Sequence, residues 1–136
     1  MDVRLLLVHS PLVGPGTWDL VAADLSGRGW EVGVPDLTAT LAAGPPYCVR
    51  QAEAIARSTS GRPAILIGHS GAGPLLAAAA AVTGQVRGYL FADAGLPIPG
   101  QTWMEPCRRS WPHRYGKWLM TGAGCRPGHN GGVRKP

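Results

Sequence analysis

The chain has little of several things that would narrow its class at once. It contains no run of eighteen or more apolar residues, so no membrane span is expected. Its three cysteines are widely spaced over 136 residues and give no disulfide framework; a cytoplasmic, reducing location is the default expectation. Met1-Asp2-Val3-Arg4-Leu5 runs straight into an apolar stretch, without the basic region, long apolar core and cleavage site of a secretory signal. There is no P-loop, and Gly14-Pro15-Gly16 lacks the third glycine of a dinucleotide fingerprint. Neither a metal nor an organic cofactor is implied.

Lysine is missing from residues 1–100, which hold six arginines against seven acids for a net of −1. Acids are scarce after that: residues 101–136 hold seven Lys and Arg and a single Glu, a net of +6. The formal charge of +5 therefore belongs to the tail. That tail also lacks aliphatic residues, with only Leu119 and Val133 beside six Gly and four Pro. Such a segment cannot bury enough surface to offset an ordering entropy of about 1–2 kcal/mol per residue. The expectation is one domain over residues 1–100 and a basic, Gly/Pro/Trp-rich tail over 101–136, disordered or loosely packed. The change of usage near Gly100 is what a truncated or frame-shifted reading produces. Two other readings of the tail are open. Basic residues interleaved with Trp103, Trp111, Tyr115 and Trp118 would suit a nucleic acid by charge and stacking. Cys107, His113, Cys125 and His129 could ligate a metal, although their spacing lacks the close cysteine pair of a zinc finger.

What is present is a globular composition, 45% hydrophobic, with elements alternating along the first hundred residues. Val3–Val8 reads as a buried strand. Thr17 is a plausible N-cap for a helix with Trp18, Val21, Ala22 and Leu25 along it, and Trp30–Val34 reads as a second strand closed by Pro35-Asp36. Tyr47–Ser58 is a helix entered through Pro45-Pro46. Ala64–Ile67 is a third strand, Gly73–Thr83 an Ala-rich helix apolar all round and so buried, and Val86–Phe91 a fourth strand. The order βαβαβαβ predicts an α/β fold: a parallel sheet of about four strands in a three-layer α/β/α sandwich. Ligands bind outside the carboxyl ends of such strands. Those ends carry His9–Leu12, Asp36, Ser70 and Asp93.

The stretch Ala64–Pro74, AILIGHSGAGP, organises the rest. A core strand runs into a glycine turn with a serine at its apex, and a core helix follows. This is the layout of a nucleophile elbow, in which the turn projects the serine oxygen above the sheet. Residues two positions either side of Ser70 must be tiny, and they are Gly68 and Ala72. The following helix aims its N-terminal N–H groups and the positive end of its dipole at the reacting centre.

At these residues the chain resembles the α/β-hydrolase superfamily, whose motif is G-x-S-x-G; here it is G-H-S-G-A-G, with Ala72 in the second glycine's place. The resemblance covers roughly Val3 to Pro99, including VHSPLVGPGTWDLVAADLSGRGWEVGVPDLT, where the family has His-Gly, a Trp opening the helix, and Pro-Asp-Leu. It implies the family's strands three to six in spatial order 4-3-5-6, with the first two strands absent. It further implies a serine hydrolase of a small ester or related acyl compound, with Ser70 as nucleophile and the Gly71 N–H as one oxyanion donor. Ser10 replaces the glycine after His9, and Pro11 has no N–H, so Leu12 is the candidate second donor. Asp93, at the end of the strand after the nucleophile helix, is the candidate acid. His9 and His69 shape the pocket, and Asp36 is structural. No histidine in residues 1–100 stands where the family's base does, which predicts weak or absent turnover. The alternatives are a non-catalytic relic or small-molecule-binding module and, lower, a basic-tailed nucleic-acid binder. With no neighbour on its far side, Val86–Phe91 would be an edge apolar on both faces, and self-association through it is expected.

Overall fold

The computed structural model describes residues 3–98. The expectations for the 101–136 tail, including its order, its nucleic-acid and metal readings and the boundary near Gly100, lie outside the described residues. Within them, β1 (Arg4–Val8), β2 (Val32–Gly33), β3 (Ala64–Ser70) and β4 (Val86–Ala94) form one sheet. Every pair is parallel and the order is β2-β1-β3-β4. This is the α/β class and strand order expected. The helices α1 (Asp19–Gly27), α2 (Ala39–Ala42), α3 (Tyr47–Ser58) and α4 (Gly73–Thr83) fill the crossovers.

The core follows from strand alternation. Leu6 and Val8 on β1 and Ala64 and Leu66 on β3 point to one face, since side chains two apart share a face. They meet Cys48 and Ile55 of α3 and Leu75, Leu76 and Ala79 of α4. Leu6, Leu66, Leu76 and Ile55 are fully buried, each contributing on the order of 1.5–3 kcal/mol. In α3, Cys48, Gln51, Ala52, Ile55 and Ala56 are buried, the i, i+3, i+4, i+7, i+8 stripe of a helix with one inward face. Gly84 takes φ +64 and closes α4 in the left-handed conformation that favours glycine there.

Several local expectations are corrected. The segment before α1 is a 3-10 turn, Pro15–Trp18, so Thr17 lies inside it and caps nothing. Trp18 is buried, but no residue of α1 is, and Leu20 is 87% exposed. The second strand shrinks to Val32–Gly33. Its ladder to β1 holds only Leu5↔Val32 and Leu6↔Gly33, and Pro35 ends it for want of an N–H. β3 and β4 both run further than expected, to Ser70 and Ala94. The helix α4 is buried through Gly73, Leu75, Leu76 and Ala79 only; Ala77, Ala81 and Val82 face outward. Alanine tolerates either environment, which is why an all-apolar pattern overstated the burial. Among the described residues, no helix is long and apolar enough to cross a membrane.

Candidate active site

Ser70 is the last residue of β3 and holds φ +54. A non-glycine residue enters this region only when its surroundings over-determine it, at a cost of about 1–3 kcal/mol. Three features do so here. The Ala72 N–H donates to the His69 carbonyl at 3.0 Å, closing the turn, and the Gly95 N–H donates to the Ser70 carbonyl at 3.0 Å. Gly73, at the start of α4, fits tightly against β4's exit: a Cβ on it would lie 1.7 Å from the Gly95 oxygen. The helix can therefore begin at this point only with glycine. Ser70 is exposed while Gly71, Ala72 and Gly73 are buried, so the turn presents the serine outward from a packed base.

The demand for small neighbours thus falls most heavily on a residue the motif did not single out. A Cβ on Gly68 would lie 3.0 Å from a Leu76 methyl, a contact that a flexible side chain can relieve. Ala72 is fully buried and accommodates its methyl. Gly73 is the position that admits none. The sequence signal was present in the second half of Gly71-Ala72-Gly73, but strand-to-helix geometry was needed to read it.

Around the serine, the Gly71 N–H takes part in no hydrogen bond among the described residues and sits at the positive end of α4. The Leu12 N–H donates to the Ser10 hydroxyl at 3.3 Å, within a turn closed by Val13 N–H to Ser10 O at 3.1 Å. Asp93 follows an irregularity in register: His69 pairs with Ala92 and Ser70 with Ala94, so Asp93 is the extra residue of a bulge. It has φ +46 and is exposed. Bulges next to functional sites re-aim side chains in this way. The Ser70 hydroxyl itself makes no hydrogen bond among the described residues.

The two described histidines are occupied differently. His9 is 1% exposed. Its Nε2 accepts the Leu37 N–H at 3.0 Å, which leaves Nδ1 to donate to the Ser10 carbonyl at 2.9 Å. Both nitrogens are committed to backbone, tying the exit of β1 to the loop after β2. The His69 ring stands edge-on to Trp18, centroids 6.1 Å apart at 83°. His69 Nδ1 and Trp18 Nε1 are both buried with no partner among the described residues. Neither imidazole is hydrogen-bonded to Ser70. Trp18 was read in the sequence as a residue along a helix and as the family's helix-opening Trp; its contact with the residue preceding Ser70 depends on the 3-10 turn. Asp36 accepts the Thr38 hydroxyl at 2.6 Å and the Thr38 N–H at 2.8 Å. Those two bonds hold its carboxyl below the usual carboxylate range, as they stabilise the charged form.

No family model and no curated protein matches the sequence. Solved structures do. The chain is similar to an extracellular α/β-hydrolase from a Paenibacillus species, itself described as sharing structural and functional homology with Tobacco Salicylic Acid Binding Protein 2. That likeness has a TM-score of 0.61 at 20% identity, over 74% of this chain and 44% of that one. The chain is also similar to a PytH variant, with a TM-score of 0.62 at 27% identity over the same shares. The strand order, the elbow and these likenesses agree, and the chain carries part of the α/β-hydrolase fold. It spans less than half the length of either of these solved relatives.

Proposed function

We propose that Ser70 is the nucleophile of a serine-hydrolase-type site for a small ester or related acyl compound, and that this chain turns over slowly. The observation that supports it is the φ of +54 at Ser70, held by the Gly95 bond and by the wedge of Gly73. The Ser70 oxygen would attack the acyl carbon while its proton passes to water, the negative charge would form on the carbonyl oxygen, and the ester C–O bond would then break, expelling the alcohol (p-nitrophenolate for an activated ester) and leaving an acyl-enzyme. The Gly71 N–H would stabilise the oxyanion from the end of α4; the Leu12 N–H would join it by leaving the Ser10 hydroxyl. Asp93, exposed on its bulge, is the candidate acid for an imidazole base. His9 is committed to backbone and His69 faces Trp18, so acylation would proceed without an efficient proton acceptor and deacylation would limit turnover. Residual acceleration from the oxyanion site alone has precedent in triad enzymes.

With p-nitrophenyl acetate the expected result is a burst stoichiometric with enzyme, followed by a slow steady rate, with the acetyl group on the Ser70 peptide. Ser70→Ala removes both. A second reading is a small-molecule-binding module without chemistry, favoured by the absence of a hydrogen bond from either described imidazole to Ser70. Absence of the burst in a chain that still binds small aromatic acids by calorimetry would select it.

A further inference from the structure

The strand β4 has one free side. Among the described residues it pairs only with β3, so the other side offers a row of unpaired backbone donors and acceptors. Tyr89 and Leu90 are 47% and 50% exposed, on opposite faces of the same edge. The register to β3 breaks at two places. Ala64 pairs with Val86 and Ile65 with Gly88; His69 pairs with Ala92 and Ser70 with Ala94. Arg87 and Asp93 are thus the extra residues, and Gly88–Ala92 keeps regular strand pairing between them. Bulges often blunt an edge, but these two bracket a straight segment instead of interrupting it.

The sequence of that edge, Val-Arg-Gly-Tyr-Leu-Phe-Ala-Asp-Ala, is chemically symmetric about Leu90. Arg87 and Asp93 are equidistant from it and opposite in charge. Gly88 and Ala92 are both small, Tyr89 and Phe91 are both aromatic, and Val86 and Ala94 are both apolar. An antiparallel pairing of two identical strands about a two-fold axis places each such residue opposite its counterpart. We propose that β4 is a self-complementary edge through which two copies of this chain dimerise, antiparallel, with the two-fold axis at Leu90. Tyr89 of one copy then faces the partner's Phe91, and Arg87 meets the partner's Asp93 at each end, a pairing that takes Asp93 out of the acid's role in the dimer. Aromatic and opposite-charge cross-strand pairs are the stabilising kinds. Parallel pairing of the same edges would set Arg87 against the partner's Arg87 and Asp93 against the partner's Asp93, so charge selects the antiparallel form. The two sheets become one, which removes the free edge from both copies.

The test is sedimentation velocity on the full chain at micromolar concentration, with circular dichroism to confirm folding. The expected result is a dimer. Arg87→Asp and Asp93→Arg should each raise the dissociation constant about tenfold or more. Combining both substitutions in one chain, or mixing the two single variants in equal amounts, should restore the dimer, because opposite charges again face each other. Leu90→Cys should form an intermolecular disulfide on mild oxidation, whereas Arg87→Cys should not, since it faces Asp93 and not itself. A folded monomer would overturn the proposal and assign the edge to residues of the same chain. A dimer indifferent to both charge reversals and not linked through Leu90→Cys would overturn it in favour of another surface.

Discussion

At the scale of single residues, the site is defined by one backbone angle. If the left-handed conformation of Ser70 is maintained against its own preference, then glycine at that position relieves the strain. The relief is about 1–2 kcal/mol, set against the greater freedom that glycine gives the unfolded chain, about 0.5–1 kcal/mol. Ser70→Gly should therefore raise the thermal midpoint by a few degrees while abolishing acylation. Ser60 has the same φ, +54, and lies in the turn before β3, at the amino-terminal end of the sheet and opposite the Ser70 end, where its hydroxyl accepts from Arg4 at 3.4 Å. Ser60→Gly should give a similar rise and leave acylation unchanged, which separates strain from chemistry. Asp36 supplies a prediction in pH. Its folded carboxyl titrates lower than the unfolded one because Thr38 donates twice to its charged form. Its contribution is therefore fully present above the unfolded value of about 3.9 and is lost as pH falls through the folded value. Thermal melts from neutral to strongly acidic pH should show a steeper loss in the native protein than in Asp36→Asn. Equal slopes would remove Asp36 from the acid response.

At the scale of elements, the elbow is a joint between β3, α4 and the exit of β4. Gly73 is the residue at which they touch, and its Cβ would overlap the Gly95 carbonyl. Gly73→Ala should destabilise by roughly 3 kcal/mol, the upper range for overpacking, because backbone and not side chain must give way. Gly68→Ala meets only Leu76 and should cost about 1 kcal/mol; chemical denaturation of the two variants checks the order. The same elements show what could be read from the sequence. The bounds of α3 and α4, the strand order and the turn at Ser70 were legible because apolar periodicity and glycine placement report local geometry directly. The length of β2 was not, since Val32 and Gly33 pair only where β1 offers partners and Pro35 stops the ladder. The exposure of α1 was not, because Val21, Ala22 and Leu25 keep helical spacing whether or not anything covers them. The bulges at Arg87 and Asp93 arise from pairing with β3 and leave no mark in β4's own pattern. The commitment of His9 to backbone required Leu37, which is distant in sequence, to be adjacent in space.

At the scale of the whole molecule, the described residues form a sheet with one well-packed face and two edge strands, the two-residue β2 and the nine-residue β4. Leu20 and Val21 on α1 and Tyr89 and Leu90 on β4 are exposed. The chain covers less than half of the solved hydrolases it is similar to. What this chain does carry is the serine, its turn and one unpaired N–H at the helix start. The most direct measurement is labelling of the folded full chain with an alkyl fluorophosphonate, followed by peptide mass spectrometry. A single adduct on the peptide holding Ser70, absent from Ser70→Ala and from denatured protein, is the expected result. No adduct, or one that persists in Ser70→Ala, would contradict a nucleophile at the bend between β3 and α4.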